Sequence, residues 1–112
     1  MSRPAIMRMI EGATAPAISN VFANNAAYLC VMQITGTYST AVVKVQGLID
    51  TGTAEWSDLA VFDLSNLDLT ESSKGNGIYQ TAIEGILRVR VNVTSVTGGS
   101  ISILANFVGT AD

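Results

Sequence analysis

Hydrophobic and polar residues alternate strictly in the last third of the chain, in Leu87–Val93 and again in Ser100–Ile103. Alternation with a period of two is typical of a β-strand that has one buried face and one solvent-exposed face. Val and Ile occupy the apolar positions, and both residue types suit a pleated, half-buried surface. The pattern predicts two strands and places Arg88 and Arg90 side by side on the polar face of the first one.

The two strands are separated by Gly98-Gly99, a pair that supplies the positive φ angles of a tight turn. In a hairpin with a two-residue loop, apolar residues would lie opposite polar ones. A three-residue loop, Thr97–Gly99, pairs Val93 with Ile103 instead. We therefore expect a hairpin with a type I turn and a glycine bulge. The side chains expected to face the core are Val89, Val91, Val93, Ile101, Ile103, Ala105 and Phe107.

Further short strands are predicted along most of the chain after residue 25, separated by glycine-containing or polar turns. The strand predicted first, Ala26–Thr35, is mostly apolar, so we expect both of its faces to be covered. Near-regular spacing of short strands indicates an all-β protein, an antiparallel β-sandwich of jelly-roll-like type. The other expected strands are Thr40–Asp50, Ala54–Leu64, Asn66–Leu69, Ile78–Ile83, Ile86–Val96 and Ser100–Val108.

Residues 1–25 differ from the rest of the chain. They contain both prolines, and they sustain neither a strand period nor a helix period. Their apolar side chains are too numerous for a solvated tail. We expect an extended, interface-forming N-terminal arm over residues 1–25 and a single β-sandwich domain over residues 26–112. The arm's candidate partner contacts are Arg3, Ile6, Met7, Arg8, Met9, Ile10 and Phe22.

The composition favours a subunit of an assembly over a free monomer. Only 13% of the residues are charged, against about 25% in an average soluble domain. Weakly polar surfaces of this kind suit burial against other proteins. The net charge of −3 argues against a nucleic-acid partner, and no apolar run approaches the ~20 residues of a membrane helix. Since the first ten residues lack a secretory pattern, we expect synthesis in a cytoplasm.

The sequence offers little for catalysis or metal binding. It has no histidine, and its single cysteine, Cys30, lies among apolar residues and is expected to be buried. The acids Asp50, Glu55, Asp58 and Asp63 follow no calcium-ligand spacing. We therefore expect a non-enzymatic protein without cofactor or metal.

Two features suit the binding of a partner. Trp56 is either part of the core, an anchor in an interface or an exposed platform for a sugar. A sugar platform would require Trp56, Tyr38 and Tyr79 to share one exposed face. Arg88 and Arg90 are candidates for contacts with carboxylates of a partner.

Several segments of the chain resemble small structural proteins of tailed bacteriophages, over about residues 40–108. These segments are Val43–Gly47, Trp56–Leu64, Asn76–Tyr79, Gly85–Val91 and Gly98–Ile101. Within that group, the single small domain is most similar to head decoration proteins, also called cement or staple proteins, such as the head staple of epsilon15-like podophages. The N-terminal arm has no motif that matches this group.

The resemblance implies a virion protein on the capsid surface, made in the host cytoplasm, that clamps neighbouring subunits of the major capsid protein. It also implies contacts between copies of this chain on the particle. The alternatives are a component of the phage tail, neck or baseplate and a small carbohydrate-binding β-sandwich module.

Overall fold

The structure is a computed structural model that describes residues 5–49, 52, 55–64, 67–70 and 75–109. Every regular element in these ranges is a β-strand. The strands are β1 (Ala5–Ala13), β2 (Ala17–Ile18), β3 (Phe22–Ala23), β4 (Ala27–Thr37), β5 (Thr40–Leu48), β6 (Ser57–Leu59), β7 (Val61–Asp63), β8 (Asp68–Thr70), β9 (Gly77–Ala82), β10 (Arg88–Thr97) and β11 (Ser100–Gly109).

The strands form two antiparallel sheets that pack face to face. The large sheet has the order β1-β11-β4-β9-β7-β8. The small sheet has the order β2-β10-β5-β6, with β3 also paired to β10. The all-β antiparallel class expected from the sequence is confirmed, while the jelly-roll-like detail stays a prediction.

The segment between β10 and β11 corrects the predicted hairpin. β10 pairs with β5 in the small sheet, and β11 pairs with β1 and β4 in the large sheet, so the two strands do not lie side by side. Gly98 and Gly99 have φ angles of 74° and 155°, and they carry the chain from one sheet to the other. The hairpin register was wrong because the apolar faces of β10 and β11 meet across the core, not within one sheet.

The inward residues of these two strands are nevertheless those that the alternation predicts. Val89, Val91 and Val93 of β10 are fully buried, as are Ile101 and Ile103 of β11. Beyond Val93 a register shift against β5 displaces the alternation by one residue, so that Val96 becomes the next buried side chain. The rest of the core comes from strands of both sheets, including Cys30, Met32, Ile34, Val43, Val45, Val61, Tyr79, Ile83, Ala105 and Phe107.

The predicted strand Ala54–Leu64 is two strands in different sheets. β6 pairs with β5 in the small sheet, and β7 pairs with β8 and β9 in the large sheet. The chain changes sheets at Ala60, between them. The prediction was wrong here because a continuous apolar pattern does not reveal a bend that leaves the residues extended.

The described part of residues 1–25 is built into both sheets. β1 pairs with β11 over most of its length, while β2 and β3 pair with β10. Met9 and Ile10 belong to the core. The described segment therefore lies on the chain's own sheets, and the interface-forming arm expected over residues 1–25 stays a prediction.

Candidate functional site

A row of polar side chains crosses the outer face of the small sheet. Strand register places Arg90 of β10 beside Gln46 of β5, and Gln46 beside Asp58 of β6. The Nε of Arg90 donates to Oε1 of Gln46 at 2.9 Å, and the Nε2 of Gln46 donates to Oδ1 of Asp58 at 2.8 Å. Residues in register on one face lie within contact distance, so the pairing of the strands by itself creates this chain of hydrogen bonds.

Two neighbouring side chains complete the network. The Nζ of Lys44 lies 2.9 Å from Oδ2 of Asp58, and the Nδ2 of Asn92 donates to Oε1 of Gln46 at 3.4 Å. Hydrogen bonds from Gln46 and then Lys44 hold the pKa of Asp58 below its usual value. The Lys44 charge is therefore matched by Asp58, while the two arginines of β10 face no carboxylate among the described residues.

Trp56 lies beside this row and contacts Arg90. The guanidinium carbon of Arg90 is 4.3 Å from the centre of the indole ring, a distance at which a cation is attracted to the ring. Trp56 is half-buried, so it is neither a core residue nor a fully open platform. Arg88 is also half-buried, and its Nη1 donates to the carbonyl of Leu87 at 3.3 Å. We call this surface the arginine face; it comprises Lys44, Gln46, Trp56, Asp58, Arg88, Arg90 and Asn92.

The outer face of the large sheet is mostly apolar. One row across all six strands reads Ile6, Asn106, Val31, Gln80, Phe62 and Leu69. The charged side chains Arg8 and Glu11 both belong to edge strand β1, where the Nε of Arg8 lies 4.0 Å from a carboxylate oxygen of Glu11. We call this surface the open face; its outward residues are Ile6, Arg8, Leu29, Val31, Gln33, Thr35, Phe62, Leu69, Ile78, Gln80, Ala82, Ser102, Leu104, Asn106 and Val108.

A shallow depression of about 150 Å³ lies near the middle of the open face. Its walls include Ile6, Val31, Ile78 and Leu104. The Oδ1 of Asn106 lies at the same place, buried and without a hydrogen-bond partner in the described part of the chain. A buried acceptor without a donor is costly.

The structure places the predicted contact residues in different parts of the molecule. Ile6 and Arg8 are exposed on the open face, and Trp56, Arg88 and Arg90 lie on the arginine face. Met9 and Ile10 correct the prediction, because at 6% and 5% exposure they are core residues with no surface to offer a partner.

Two further predicted contacts, Met7 and Phe22, are partly buried. Both pack against the core, where the Phe22 ring stacks on Phe107 with 3.7 Å between ring centres. Arg3 lies outside the described residues. Sequence reasoning missed Lys44, Gln46 and Asp58 as partners of the arginines, because their contacts depend on which strands are neighbours.

The aromatic residues do not form a sugar platform. Tyr79 is 3% exposed and belongs to the core. The Tyr38 hydroxyl donates to Oδ1 of Asn76 at 2.8 Å. Because Tyr79 is buried, the three aromatic residues cannot share an exposed face, and the condition for a carbohydrate-binding module is not met.

The described residues show no reactive centre. Cys30 is buried, as expected, and burial raises the pKa of its thiol to about 12. In the described ranges, no group of three Cys, Asp or Glu side chains is placed to hold a metal ion. No described segment forms a helix long and apolar enough to cross a membrane.

Comparison with known proteins identifies one family. The model of the XepA family matches residues 5–106. Among solved structures, the SPBc2 prophage-derived protein YomS superimposes with a TM-score of 0.86 at 21% identity, over 97% of this chain and 96% of YomS. The PBSX exported protein XepA superimposes with a TM-score of 0.89 at 17% identity, over 96% of this chain. The chain spans 38% of the length of XepA. No curated protein matches the sequence.

Proposed function

The protein belongs to the XepA family, and we propose that it is a non-enzymatic structural protein of a bacteriophage. A prophage-derived protein and a PBSX exported protein are the similar structures, which supports a phage origin. We propose further that it binds the outer surface of the capsid, with the major capsid protein as its partner, and that several copies reinforce each particle. In this role it acts by covering and joining other proteins and performs no reaction on a substrate.

The open face is the observation that carries this proposal. The first half of β4 is apolar on both sides, as in a strand that is covered on both faces. Its inward residues Cys30, Met32 and Ile34 are buried, but its outward residues Leu29 and Val31 are covered only in part by the chain itself. A second protein against the open face would complete the environment that the sequence of β4 requires.

The size and chemistry of the open face fit a protein interface. With strands about 4.8 Å apart and a rise of about 3.3 Å per residue, the residues of its six strands cover roughly 670 Å². Each partner contributes about the same area to a standard-size interface. Charged residues are depleted at the centre of interfaces, and here the charged side chains Arg8 and Glu11 are on edge strand β1.

Clamping requires two contact surfaces, and the sandwich has two outer faces that point in opposite directions. The open face is apolar, and the arginine face is polar and basic. A protein with this arrangement can hold one capsid subunit by apolar burial and meet a neighbouring one through charged side chains.

The experiment introduces a charge on the open face, on β11, the strand next to edge strand β1. Leu104 is 37% exposed, so Leu104→Lys leaves the core intact and places an ammonium group where a partner would bury apolar surface. Ile49, 65% exposed at the end of β5, offers the matched control Ile49→Lys. Binding is measured by co-sedimentation with capsids and, separately, with tails purified from the phage that encodes the protein.

We expect the wild type and Ile49→Lys to sediment with capsids and Leu104→Lys to lose at least about 90% of this binding, since burying an unpaired charge is strongly unfavourable. Binding to tails alone would contradict the capsid location and support a tail, neck or baseplate component. Equal binding by Leu104→Lys and the wild type would contradict the role of the open face.

A further inference from the structure

We propose that the arginine face binds an acidic segment of a protein partner, and that Arg90 holds a carboxylate of that segment. The inference concerns the face opposite to the open face and does not rest on the capsid location proposed above. Its basis is the way in which Arg90 is held in place, the hydrogen-bonding groups that this leaves free, and the charges around it.

Arg90 is fixed by two contacts before any partner arrives. Its guanidinium packs over the Trp56 ring at 4.3 Å, and its Nε donates to Gln46. Gln46 is itself held through its other amide atom by Asp58. An arginine normally loses much side-chain freedom when it binds a ligand, and that loss weakens binding. Here the protein has already restricted the side chain.

The two Nη groups of Arg90 remain available. Within the described residues, Nε is the atom of Arg90 that donates a hydrogen bond, and no acceptor faces the Nη atoms. A planar guanidinium with both Nη groups free matches the two oxygens of a carboxylate, and such paired hydrogen bonds are among the strongest in proteins. The site therefore suits a planar anion such as a carboxylate better than a compact, spherical ion.

The charges near Arg90 favour an acidic protein segment. Arg88 lies on the same face two residues away, at about 7 Å along the strand, which matches the spacing of alternate acidic side chains on one side of an extended peptide. Lys44 is matched by Asp58 and adds little. The chain as a whole carries −3, so an extended polyanion such as a nucleic acid would be repelled outside this face.

Trp56 is the single tryptophan of the chain, and its fluorescence reports on the stacked Arg90. The full-length protein is titrated at low ionic strength with a hexaglutamate peptide, with a hexaglutamine peptide and with inorganic phosphate. We expect a saturable change in Trp56 fluorescence with hexaglutamate and none with hexaglutamine. Arg90→Lys keeps the positive charge but removes the planar pair of Nη groups, and we expect it to weaken hexaglutamate binding about tenfold. The matched control Arg8→Lys, on the opposite face, is expected to bind like the wild type.

A wild-type measurement keeps the test valid if Arg90→Lys does not fold. In NMR spectra of the labelled protein, hexaglutamate should shift the Arg90 Nε–H signal and the side-chain amides of Gln46 and Asn92, and should leave Arg8 unchanged. The proposal is overturned if these signals do not move, if Arg90→Lys and Arg8→Lys weaken binding equally, or if phosphate gives the full response and hexaglutamate gives none. None of these outcomes depends on binding to capsids, so the two proposals fail separately.

Discussion

At the scale of single residues, Asn24 joins two parts of the chain through its side chain. Its Nδ2 donates to the carbonyls of Ala27, Ile83 and Ile86 at 3.0, 3.1 and 2.8 Å. Its Oδ1 accepts a hydrogen bond from the Ala27 amide at 2.9 Å. The segment before β4 is thereby tied to the turn between β9 and β10, which is distant in sequence.

We predict that Asn24→Asp destabilises the protein by about 3 kcal/mol at neutral pH, because a carboxylate cannot donate to carbonyl oxygens and would be repelled by them. The measurement is the midpoint of unfolding in urea. Asn25→Asp is the matched control, since Asn25 is exposed and next in sequence, and it should change stability by less than about 0.5 kcal/mol. Equal effects of the two substitutions would contradict the role given to the Asn24 amide.

At the scale of elements, the crossing between β10 and β11 depends on glycine. A Cβ atom on Gly99 would overlap the backbone carbonyl oxygen of Thr37, and Gly99 also has a positive φ of 155°. Backbone of the β4–β5 connection therefore lies directly against the crossing. This close approach holds the connections at one end of the two sheets together.

We predict that Gly99→Ala destabilises the protein by at least about 2 kcal/mol, since the overlap is with backbone, which cannot move aside as a side chain can. The change is measured by thermal unfolding followed by circular dichroism. Gly75→Ala serves as the control, because a Cβ there would meet nothing within 4 Å and no positive φ is required. A Gly99→Ala protein as stable as the control would show that the crossing tolerates a side chain.

The strand edges indicate why we assign binding to the faces of the sheets. Edge strands β6 and β8 have three residues each and β2 has two. β1 is longer, but its register against β11 shifts twice, between Arg8 and Ile10 and between Ile10 and Ala13. Short or irregular edges discourage strand addition by another chain. The regular, extended surfaces of this protein are its two outer faces.

At the scale of the whole molecule, both sheets share one core, and Cys30 lies within it at 1% exposure. A single core between two sheets favours cooperative unfolding. Because burial raises the pKa of the thiol to about 12 and also blocks access, the native protein should not react with thiol reagents.

We predict that labelling of Cys30 at pH 8 is slower in the native protein than in the protein unfolded by guanidinium, by a factor on the order of a thousand or more, as expected for a stability of at least about 5 kcal/mol. The measurement is the rate of maleimide labelling followed by mass spectrometry. Labelling that rises at denaturant concentrations well below the circular dichroism transition would contradict a single cooperative unit.

The sequence by itself determined which face of β11, and of β10 as far as Val93, is buried. Period-two alternation identified Val89, Val91 and Val93 as core and Arg88 and Arg90 as outward, and both assignments are confirmed. It could do so because side chains of a strand alternate between two sides, whatever lies next to it.

Only the tertiary structure decided which strands are neighbours. The same alternation is compatible with β10 and β11 in one hairpin or in opposite sheets. In the structure the two strands lie in opposite sheets, and Gly99, between them, packs closely against the backbone of Thr37. The row of Arg90, Gln46 and Asp58 exists because β5 lies between β10 and β6. Strand neighbours are set by the paths of loops and by contacts distant in sequence, and a local pattern of polar and apolar residues carries no information about either.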